Sequence, residues 1–343
     1  MNTWIERDIS EFVSGFPLAH ELKGSSFLIT GATGLIGSTL VRCLLRMDEL
    51  YSLGLTVTCP VRNVAKAQEM FAECMGSVVL VASDLEKVST LPKAHYDYIL
   101  HAASPTSSKY FVEKPVETYS FILNSTMNLL ELAKTGLVKS LVYVSSLESY
   151  GSIVNDNVIT EDMQGYVNLL DVRSSYSMGK RGAECLCHFY AKEYGVPVKI
   201  ARLTQTFGAG VSDSDNRVYA QFGRSIVNGT DIELHTTGES AKPYCYTTDC
   251  IAALLYILLK GKDGEAYNVA NEDTFISIRD MANFLIEEFN PKVKVNISIR
   301  KDMGYAPQTL LRLSAKKLTN LGWKPKYGLR EMYERMIKSI TKD

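Results

Sequence analysis

Residues 26–37 read SFLITGATGLIG, a short apolar run that leads into three glycines spaced three positions apart. The run predicts a buried strand, and residues 35–50 have the apolar spacing of an amphipathic helix. Such glycines let the backbone turn sharply between strand and helix and approach a pyrophosphate, which then lies on free amides at the helix N-terminus. A tight turn that only needs small residues is the alternative. The place of the loop at the head of a strand–helix series favours a dinucleotide site, with Gly31, Thr33, Gly34, Leu35, Ile36 and Gly37 as its residues.

The alternation of strands and helices continues for more than a hundred residues. Further strands are predicted at 55–61, 78–82, 98–101 and 140–145, and a long helix at 115–134 has Pro115 in its first turn. Repeated βαβ units imply an α/β fold of the Rossmann type, with a doubly wound parallel sheet. We expect a helical extension at 1–24, the dinucleotide-binding domain at 25–204, and a smaller substrate-binding lobe, interleaved with that domain, mainly at 205–343.

Composition narrows the class of partner. The 343 residues are 46% hydrophobic and 22% charged, with a formal net charge of −1, so a nucleic acid is not expected to bind. No apolar run has the length needed to cross a bilayer, and charged residues from Glu6 to Glu11 exclude a signal peptide core. The 7 cysteines lack metal-ligand spacing. The sequence therefore predicts a cytoplasmic protein with reduced thiols and no metal site.

Residues after the next strands are candidates for cofactor contacts. Arg62 follows the second strand, where an acidic residue would select NAD and an arginine can pair with a 2′-phosphate. NAD or NADP is thus expected, and Arg62 favours NADP, although a solvated arginine at a strand end is the alternative. His101 is expected to end a buried strand as a core residue rather than as a catalyst. The remaining candidate cofactor residues at these strand ends are Asn63, Asp84, Leu85, Ala102, Ala103 and Ser104.

The predicted chemical centre joins the fifth strand to a later helix. Tyr176 and Lys180 stand four positions apart and so share a helix face. The lysine charge is expected to lower the phenol pKa from its usual value of about 10, which makes Tyr176 a base for a hydroxyl proton while hydride leaves for nicotinamide. Ser146 would hydrogen-bond the reacting oxygen. A surface pair is the alternative for this spacing alone, but its combination with the glycine loop predicts an oxidoreductive enzyme.

From about residue 25 to 340, the chain resembles the extended short-chain dehydrogenase/reductases of the nucleotide-sugar epimerase/dehydratase type. The motifs that carry the resemblance are TGATGLIG at 30–37, HAAS at 101–104, SSLESYG at 145–151, YSMGK at 176–180, TFG at 206–208, YCYTTD at 244–249 and LGWKP at 321–325. Within the family the chain is most similar to UDP-glucuronate decarboxylases, with dTDP-glucose 4,6-dehydratases next. That similarity depends on Ser104-Pro105, Tyr110, Pro115, Arg173 and Gly179-Lys180-Arg181.

The resemblance implies roles for particular residues. Ser146 would steady the sugar C4 oxygen, Tyr176 would be the base, and Lys180 would be its partner and the ribose anchor. Glu148 would be the active-site carboxylate. It also implies a homodimer through helices 115–134 and 176–194. The implied substrate-binding residues are Ser104, Arg173, Gln205, Arg217 and Lys242.

The neighbourhood of Glu148 discriminates between reactions. Oxidation at C4 lets a C6 carboxylate leave as carbon dioxide, whereas loss of water from a C6 alcohol needs an acid. Dehydratases supply that acid with an Asp-Glu pair, and this chain has Leu147-Glu148. The resemblance thus favours a UDP-glucuronate decarboxylase-like activity, with a 4,6-dehydratase or 4-epimerase as alternatives. Leu147, Gln205 and Lys242 depart from the decarboxylase pattern of Ser, Asn and Arg.

Two hypotheses from other classes remain open. An NADPH-dependent ketone reductase would share the fold, and Arg62 supports it. A non-catalytic dinucleotide sensor would predict a broken catalytic set, whereas Ser146, Tyr176 and Lys180 are all present. Net consumption of cofactor separates the reductase from the decarboxylase, because the latter returns its hydride.

Overall fold

The computed structural model describes residues 2–153, 158–300 and 308–341. Its strands are numbered in chain order. They are β1 (Ser26–Thr30), β2 (Thr56–Val61), β3 (Val78–Ala82), β4 (Tyr98–His101), β5 (Ser140–Ser146), β6 (Val198–Leu203), β7 (Gln205–Phe207), β8 (Ile232–Leu234), β9 (Ala241–Tyr246), β10 (Ala266–Val269), β11 (Asn271–Ser277) and β12 (Val295–Ile297).

The α-helices are numbered in the same way, and short 3₁₀ turns connect some of them to strands. The helices are α1 (Thr3–Gly15), α2 (Leu35–Tyr51), α3 (Val64–Met70), α4 (Ser108–Glu113), α5 (Pro115–Ala133), α6 (Ser174–Tyr194), α7 (Val218–Asn228), α8 (Thr247–Lys260), α9 (Ile278–Phe289), α10 (Lys316–Thr319) and α11 (Leu329–Thr341). The 3₁₀ turns span Ala19–Leu22, Ala72–Cys74, Val88–Thr90 and Leu147–Tyr150.

A seven-stranded parallel sheet forms the centre of the described structure, in the order β10-β6-β5-β4-β1-β2-β3. Chain order reverses between β1 and β4, which pair in register from Phe27 with Tyr98 to Thr30 with His101. Parallel sheets open a crevice at such a reversal, outside the carboxyl ends of the strands. The predicted Rossmann-type, doubly wound α/β fold is confirmed.

Alternate side chains of β1 explain why both faces of the sheet are covered. Phe27 and Ile29 pack in one apolar cluster with residues of α2 and α8. Leu28 packs in a second cluster with residues of α5 and α6. All three side chains are fully buried. Because strand residues point alternately to the two faces, an almost continuous apolar strand must lie between two helical layers.

The chain after residue 204 forms a third apolar cluster and also contributes a strand to the large sheet. The small sheet β11-β9-β7 packs with α7, α9 and α11, and Phe207, Tyr219 and Tyr333 are in the core of that cluster. Strand β10, however, pairs with β6 at the edge of the large sheet. Residues 266–269 thus belong to the sheet layer although they follow the start of the substrate-binding lobe, and the division of the chain at 204 stays a prediction.

Helix α1, near the start of the described chain, packs against α11 near its end. Asp8 is buried, and its carboxylate accepts hydrogen bonds from the Tyr246 hydroxyl and, at 2.6 Å, from Nη1 of Arg335 on α11. Nη2 of Arg335 lies 2.8 Å from the Glu11 carboxylate. Helix α1 also packs along α2. The N-terminal helix is therefore held against both the dinucleotide-binding helix and the C-terminal helix.

None of the helices within the described ranges combines the length and the apolar character that a membrane-spanning helix requires.

Candidate active site

The glycine loop after β1 brings the backbone of two elements into close contact. Gly31 has a φ of +69°, and a Cβ built on it would lie 2.7 Å from the carbonyl carbon of Ala102 after β4. A Cβ on Gly37 would lie 2.2 Å from the Gly31 oxygen. Neither position can hold a side chain without movement of the backbone. The loop thus presents bare backbone, and the first amides of α2, at the reversal of the sheet.

A cleft at the carboxyl ends of the strands contains most of the residues predicted from the sequence. The predicted residues that line it are Gly31, Gly34, Leu35, Ile36, Gly37, Ala102, Ser104, Ser146, Glu148, Tyr176, Lys180, Gln205, Arg217 and Lys242. The dinucleotide loop, the proposed base and the proposed sugar-binding residues thus face one space.

Other predicted residues lie beside the cleft rather than in its lining, namely Thr33, Arg62, Asn63, Asp84, Leu85, Ala103 and Arg173. Arg62 is exposed after β2, and the Asn63 side chain caps α3 by accepting a hydrogen bond from the Lys66 amide at 3.0 Å. Leu85 is buried, and its carbonyl accepts a hydrogen bond from Asn128 at 2.9 Å. Local capping and packing account for Asn63 and Leu85.

Three elements position the proposed catalytic side chains. Ser146 ends β5, where its hydroxyl hydrogen-bonds the Tyr176 phenol and accepts a hydrogen bond from the Glu148 amide at 3.2 Å. Tyr176 lies in the first turn of α6. Lys180, one turn later, donates to the Val144 carbonyl at 2.8 Å, and its Nζ is 5.7 Å from the centroid of the Tyr176 ring. The lysine is thus held against β5 rather than against the phenol oxygen.

The electrostatics of the pair differ from the sequence-based expectation. Burial and the charge of Glu148 raise the pKa of Tyr176, against a lowering by the Ser146 hydrogen bond and by the charges of Arg217 and Arg173. The prediction that Lys180 lowers this pKa below its usual value is wrong for the protein alone. Burial also lowers the pKa of Lys180 to about 7, although Glu184 opposes the shift. Burial thus disfavours the charged form of Lys180, and the carboxylate of Glu184 favours it.

Three charged side chains interact at the cleft. Nη1 of Arg173 is 3.1 Å from the Glu148 carboxylate, and both side chains are partly buried. Lys242 on β9 is half-buried, and burial lowers its pKa, while the charge of Glu148 raises it and that of Arg173 lowers it further. The Glu148 carboxylate thus interacts with two cations, in direct contact with Arg173 and at longer range with Lys242.

Polar groups without a partner also face the cleft. Gln205 Oε1 and Ser104 Oγ are buried and accept or donate no hydrogen bond within the described residues. Arg217 is committed to its own loop, because its Nε lies 3.0 Å from the Asp215 carboxylate and its guanidinium lies 5.0 Å from the centroid of the Tyr219 ring. Gln205 and Ser104 are therefore more available to a ligand than Arg217 is.

Several residues that line the cleft were not predicted from the sequence. Phe111 on α4 stacks on the Tyr176 ring, with centroids 4.2 Å apart and planes 8° apart. An isolated apolar residue in a polar segment is usually interpreted as a core residue. Only the motif residues on either side of Phe111, Tyr110 and Pro115, drew attention to this segment. The other missed lining residues are Thr106, Ser108, Val144, Ser145, Leu147, Leu203, Thr204 and Thr206. Most lie at or directly after the carboxyl ends of β5 and β6, a position that could have identified them.

His101 is a core residue, as expected. Its Nδ1 is 2.8 Å from the Thr30 hydroxyl and its Nε2 is 3.2 Å from the Thr126 hydroxyl. Burial, with the charge of Lys180, lowers its pKa to about 3. No cluster of three or more His, Cys, Asp or Glu side chains is arranged for a metal ion among the described residues.

Comparisons with known proteins agree with this geometry. Residues 27–270 match the model of the NAD dependent epimerase/dehydratase family. UDP-glucuronic acid decarboxylase 3 of Arabidopsis thaliana is 28% identical over 325 residues, which are 92% of this chain and 91% of that protein. UDP-glucuronic acid decarboxylase 1 of Danio rerio is 27% identical over 92% of this chain and 72% of its own length.

Two solved structures are similar in fold. UDP-glucose 4-epimerase of Thermotoga maritima has a TM-score of 0.79 at 21% identity, and covers 92% of this chain and 99% of its own. UDP-glucuronic acid 4-epimerase of Bacillus cereus has a TM-score of 0.77 at 20% identity, with the same two coverages. The resemblance seen in the motifs is confirmed by the family match. This chain, with its glycine loop and parallel sheet, belongs to the NAD dependent epimerase/dehydratase family.

Proposed function

We propose that the chain is an enzyme that transiently oxidises the C4 hydroxyl of a nucleotide-linked sugar with bound NAD or NADP, and that it decarboxylates a nucleotide hexuronate, as UDP-glucuronate decarboxylases do. The family and the relatives named above support a reaction on a nucleotide sugar. The observation that carries the finer proposal is the second cation, Lys242, beside the Glu148–Arg173 pair.

The glycine loop fits a dinucleotide. Bare backbone at Gly31 and Gly37 gives a pyrophosphate room to approach, and the N-terminus of α2 favours its negative charge. Ser104 Oγ is a buried polar atom that such a ligand could satisfy. Lys180 would anchor the ribose. When bound, the dinucleotide supplies a two-electron acceptor for the sugar carbon.

Arg62 is the residue on which we base a preference for NADP. It is exposed after β2 and close enough to Asp84 that its charge contributes, after hydrogen bonds from Glu86 and Lys87, to the lowered pKa of that carboxyl. An exposed guanidinium directly after the second strand of a Rossmann-type sheet can pair with a 2′-phosphate.

Tyr176 would take the proton of the C4 hydroxyl while Ser146 holds the same oxygen by a hydrogen bond. Burial raises the pKa of Tyr176, and the positive charges of Arg217 and Arg173 act against that shift. The stacked ring of Phe111 covers one face of the phenol and keeps water from that side. The phenol is therefore fixed in orientation before the proton moves.

A C4 ketone makes a C6 carboxylate part of a β-keto acid. The C5–C6 bond then breaks, carbon dioxide leaves, and the electron pair of that bond becomes the enolate between C4 and C5, which takes a proton at C5. Loss of water would instead need an acid next to Glu148. That position holds Leu147, which is buried in an apolar cluster with Tyr150 and Ile159, so the side chain has no proton to give.

The charge balance favours a hexuronate over a neutral hexose. Glu148 already pairs with Arg173 at 3.1 Å, and the Lys242 ammonium forms no ion pair with a described residue, although the charge of Glu148 acts on it. A half-buried ammonium with no carboxylate in direct contact is costly, and a substrate carboxylate would supply that contact. A neutral sugar would not supply it.

The decisive experiment incubates the purified protein with UDP-glucuronate, UDP-glucose and dTDP-glucose, with and without added NAD or NADP, and follows products by mass spectrometry. We expect UDP-glucuronate to lose carbon dioxide without net reduction of cofactor. Lys242→Met should raise KM for UDP-glucuronate and Lys242→Arg should restore it. Loss of water from a nucleotide hexose, an epimer of unchanged mass, or net oxidation of NADPH would each contradict the decarboxylase proposal.

We also propose that the protein is a homodimer. Helices α5 and α6 lie side by side and are the two longest in the described structure, with 19 and 21 residues. Their outward faces carry apolar side chains at exposures that a monomer rarely shows together. These residues are Val116 at 71%, Tyr119 at 40%, Met127 at 40% and Phe189 at 57% exposure.

A further inference from the structure

A buried ion pair lies directly behind the proposed catalytic centre. Glu184 follows Lys180 by one turn of α6, and Arg202 lies on β6. Arg202 donates to the Glu184 carboxylate through Nε at 3.0 Å and through Nη2 at 2.7 Å. Glu184 is 7% exposed and Arg202 is 6% exposed. An ion pair with two such hydrogen bonds fixes the relative orientation of the two side chains and also balances their charges.

The same carboxylate holds a third element. Ser145 on β5 is the cross-strand neighbour of Arg202 on β6, and its hydroxyl donates to Oε1 of Glu184. Ser145 immediately precedes Ser146, and Glu184 stands on the helix that carries Tyr176. One carboxylate therefore ties together the strand that ends in the serine and the helix that carries the phenol.

Arg202 extends the connection to the turn that carries Glu148. Its Nη1 donates to the Glu161 carbonyl at 2.8 Å, and its guanidinium lies 4.7 Å from the centroid of the Tyr150 ring. Tyr150 ends the turn Leu147–Tyr150 and donates from its hydroxyl to Asn268 at 2.7 Å. The guanidinium thus contacts Glu184 on α6, the Tyr150 ring at the end of the turn, and the backbone at Glu161.

Glu184 stands one helical turn from Lys180 on α6, and its own counterion is Arg202 on β6. The other titratable groups around Lys180 are Cys187 and Tyr176 on α6, Tyr143 on β5 and His101 on β4. Burial raises the pKa of Cys187, Tyr176 and Tyr143 and lowers that of His101 to about 3, so all four are neutral near pH 7. Glu184 acts to raise the pKa of Lys180 against burial.

Stability alone gives little reason for this pair. Desolvation of two charges offsets most of their attraction, and apolar residues of similar size often serve as well. We propose that Glu184, held by Arg202, is a positioning residue that keeps the Lys180 ammonium charged and in place for the reaction. This role rests on the function proposed above, because that function gives Lys180 a part in the chemistry.

The test measures the Lys180 pKa directly, by NMR titration of ¹⁵N-labelled lysine ammonium groups, with Lys180→Arg to assign the signal. In Glu184→Gln we expect the pKa to fall by about one unit or more, because an opposite charge one helical turn away is removed. Glu193→Gln, an exposed change on the same helix, should leave it unaltered. An unchanged Lys180 pKa in Glu184→Gln would overturn the proposal.

A double variant separates positioning from folding. Glu184→Met with Arg202→Met replaces the pair by apolar side chains, so we expect a free energy of unfolding near that of the wild type. Lys180 should still titrate at lower pH than in the wild type, but by less than in Glu184→Gln, because the cation of Arg202 is removed together with the carboxylate. The fall in kcat toward alkaline pH should begin earlier, since the ammonium form is lost sooner. A double variant with wild-type Lys180 titration and pH profile would contradict the proposal.

The two readouts also distinguish this proposal from the function on which it rests. The titration needs no substrate. If no nucleotide sugar is turned over but the Lys180 pKa falls in Glu184→Gln, the proposed function fails and the control of Lys180 by Glu184 stands. If UDP-glucuronate is decarboxylated and the Lys180 pKa does not change in Glu184→Gln, the proposed function stands and the control of Lys180 by Glu184 fails.

Discussion

Tyr176 combines three constraints that a helix surface would not provide. It is buried, it stacks on Phe111 at 4.2 Å, and its phenol hydrogen-bonds Ser146. Phenylalanine at this position keeps the ring and the stacking and removes only the hydroxyl. The position is therefore suited to a substitution that tests chemistry and leaves packing intact.

Tyr176→Phe should lower the turnover of the nucleotide sugar by about 10²- to 10⁴-fold, the usual contribution of a general base. Turnover is measured by mass spectrometry of the product, and cofactor affinity by fluorescence titration. Tyr194→Phe removes an exposed phenol from the same helix and serves as the matched control. Equal activity of wild type and Tyr176→Phe would mean that another group takes the proton.

For single residues, the sequence predicts which side chains lie together better than it predicts their protonation states. Tyr176 and Lys180 could be found because their spacing alone puts them on one helix face. The pKa of Tyr176 was predicted in the wrong direction, since burial depends on β5 and α4, which the helix pattern does not contain. Phe111 was missed for the same reason, because stacking is a contact between distant segments.

Helices α5 and α6 approach closely because α6 has glycines where α5 has large side chains. A Cβ on Gly179 would lie 3.0 Å from Ile122, and one on Gly182 would lie 2.9 Å from Leu123. The pair therefore forms a tight two-helix layer whose outer face carries Met127 and Phe189.

Phe189→Asp should convert the proposed dimer into a monomer, because a carboxylate cannot be buried between apolar helices without a partner. Size-exclusion chromatography with light scattering gives the mass in solution. Leu137→Asp is the control, since Leu137 is 58% exposed but follows α5 in a loop. A wild type of monomer mass, or a Phe189→Asp variant of dimer mass, would refute this interface.

Elements with a clear apolar pattern were predictable from the sequence, whereas the short helical segments were not. The predicted helix at 35–50 agrees with α2 to one residue, and the strand at 98–101 agrees with β4, because apolar periodicity decides both. Helix α4 and the turn at Leu147–Tyr150 have four to six residues. Elements so short are not stable in isolation, and tertiary contacts such as Phe111 with Tyr176 decide them.

Asp8 is the buried carboxylate among the polar contacts that hold α1 to the molecule. Asp8→Ala should lower the free energy of unfolding by about 1–3 kcal/mol, because the buried Tyr246 hydroxyl loses its acceptor and Arg335 keeps only Glu11 as an anionic partner. Denaturant unfolding measures the change. Glu6→Ala, at an exposed position of the same helix, should cost about 0.5 kcal/mol or less. Equal losses in the two variants would show that α1 is held by its apolar face alone.

The sequence indicated that residues 1–24 are helical and pack on the body, but it could not indicate where. Trp4, Ile5 and Ile9 follow helical spacing, which identifies an apolar face and not its partner. The partner of Asp8 is Arg335, 327 residues away. No local pattern connects positions at that separation, so the arrangement becomes visible only in three dimensions.

That separation has a consequence for the order in which the protein matures. A ribosome makes α1 long before α11, so Asp8 meets the Arg335 guanidinium only after the 327 positions that separate them have been translated. The glycine loop and its neighbouring strands can assemble long before that moment. We expect α1 to be the last helix to settle, and nascent chains that stop short of Arg335 to remain open to proteases at their first helix.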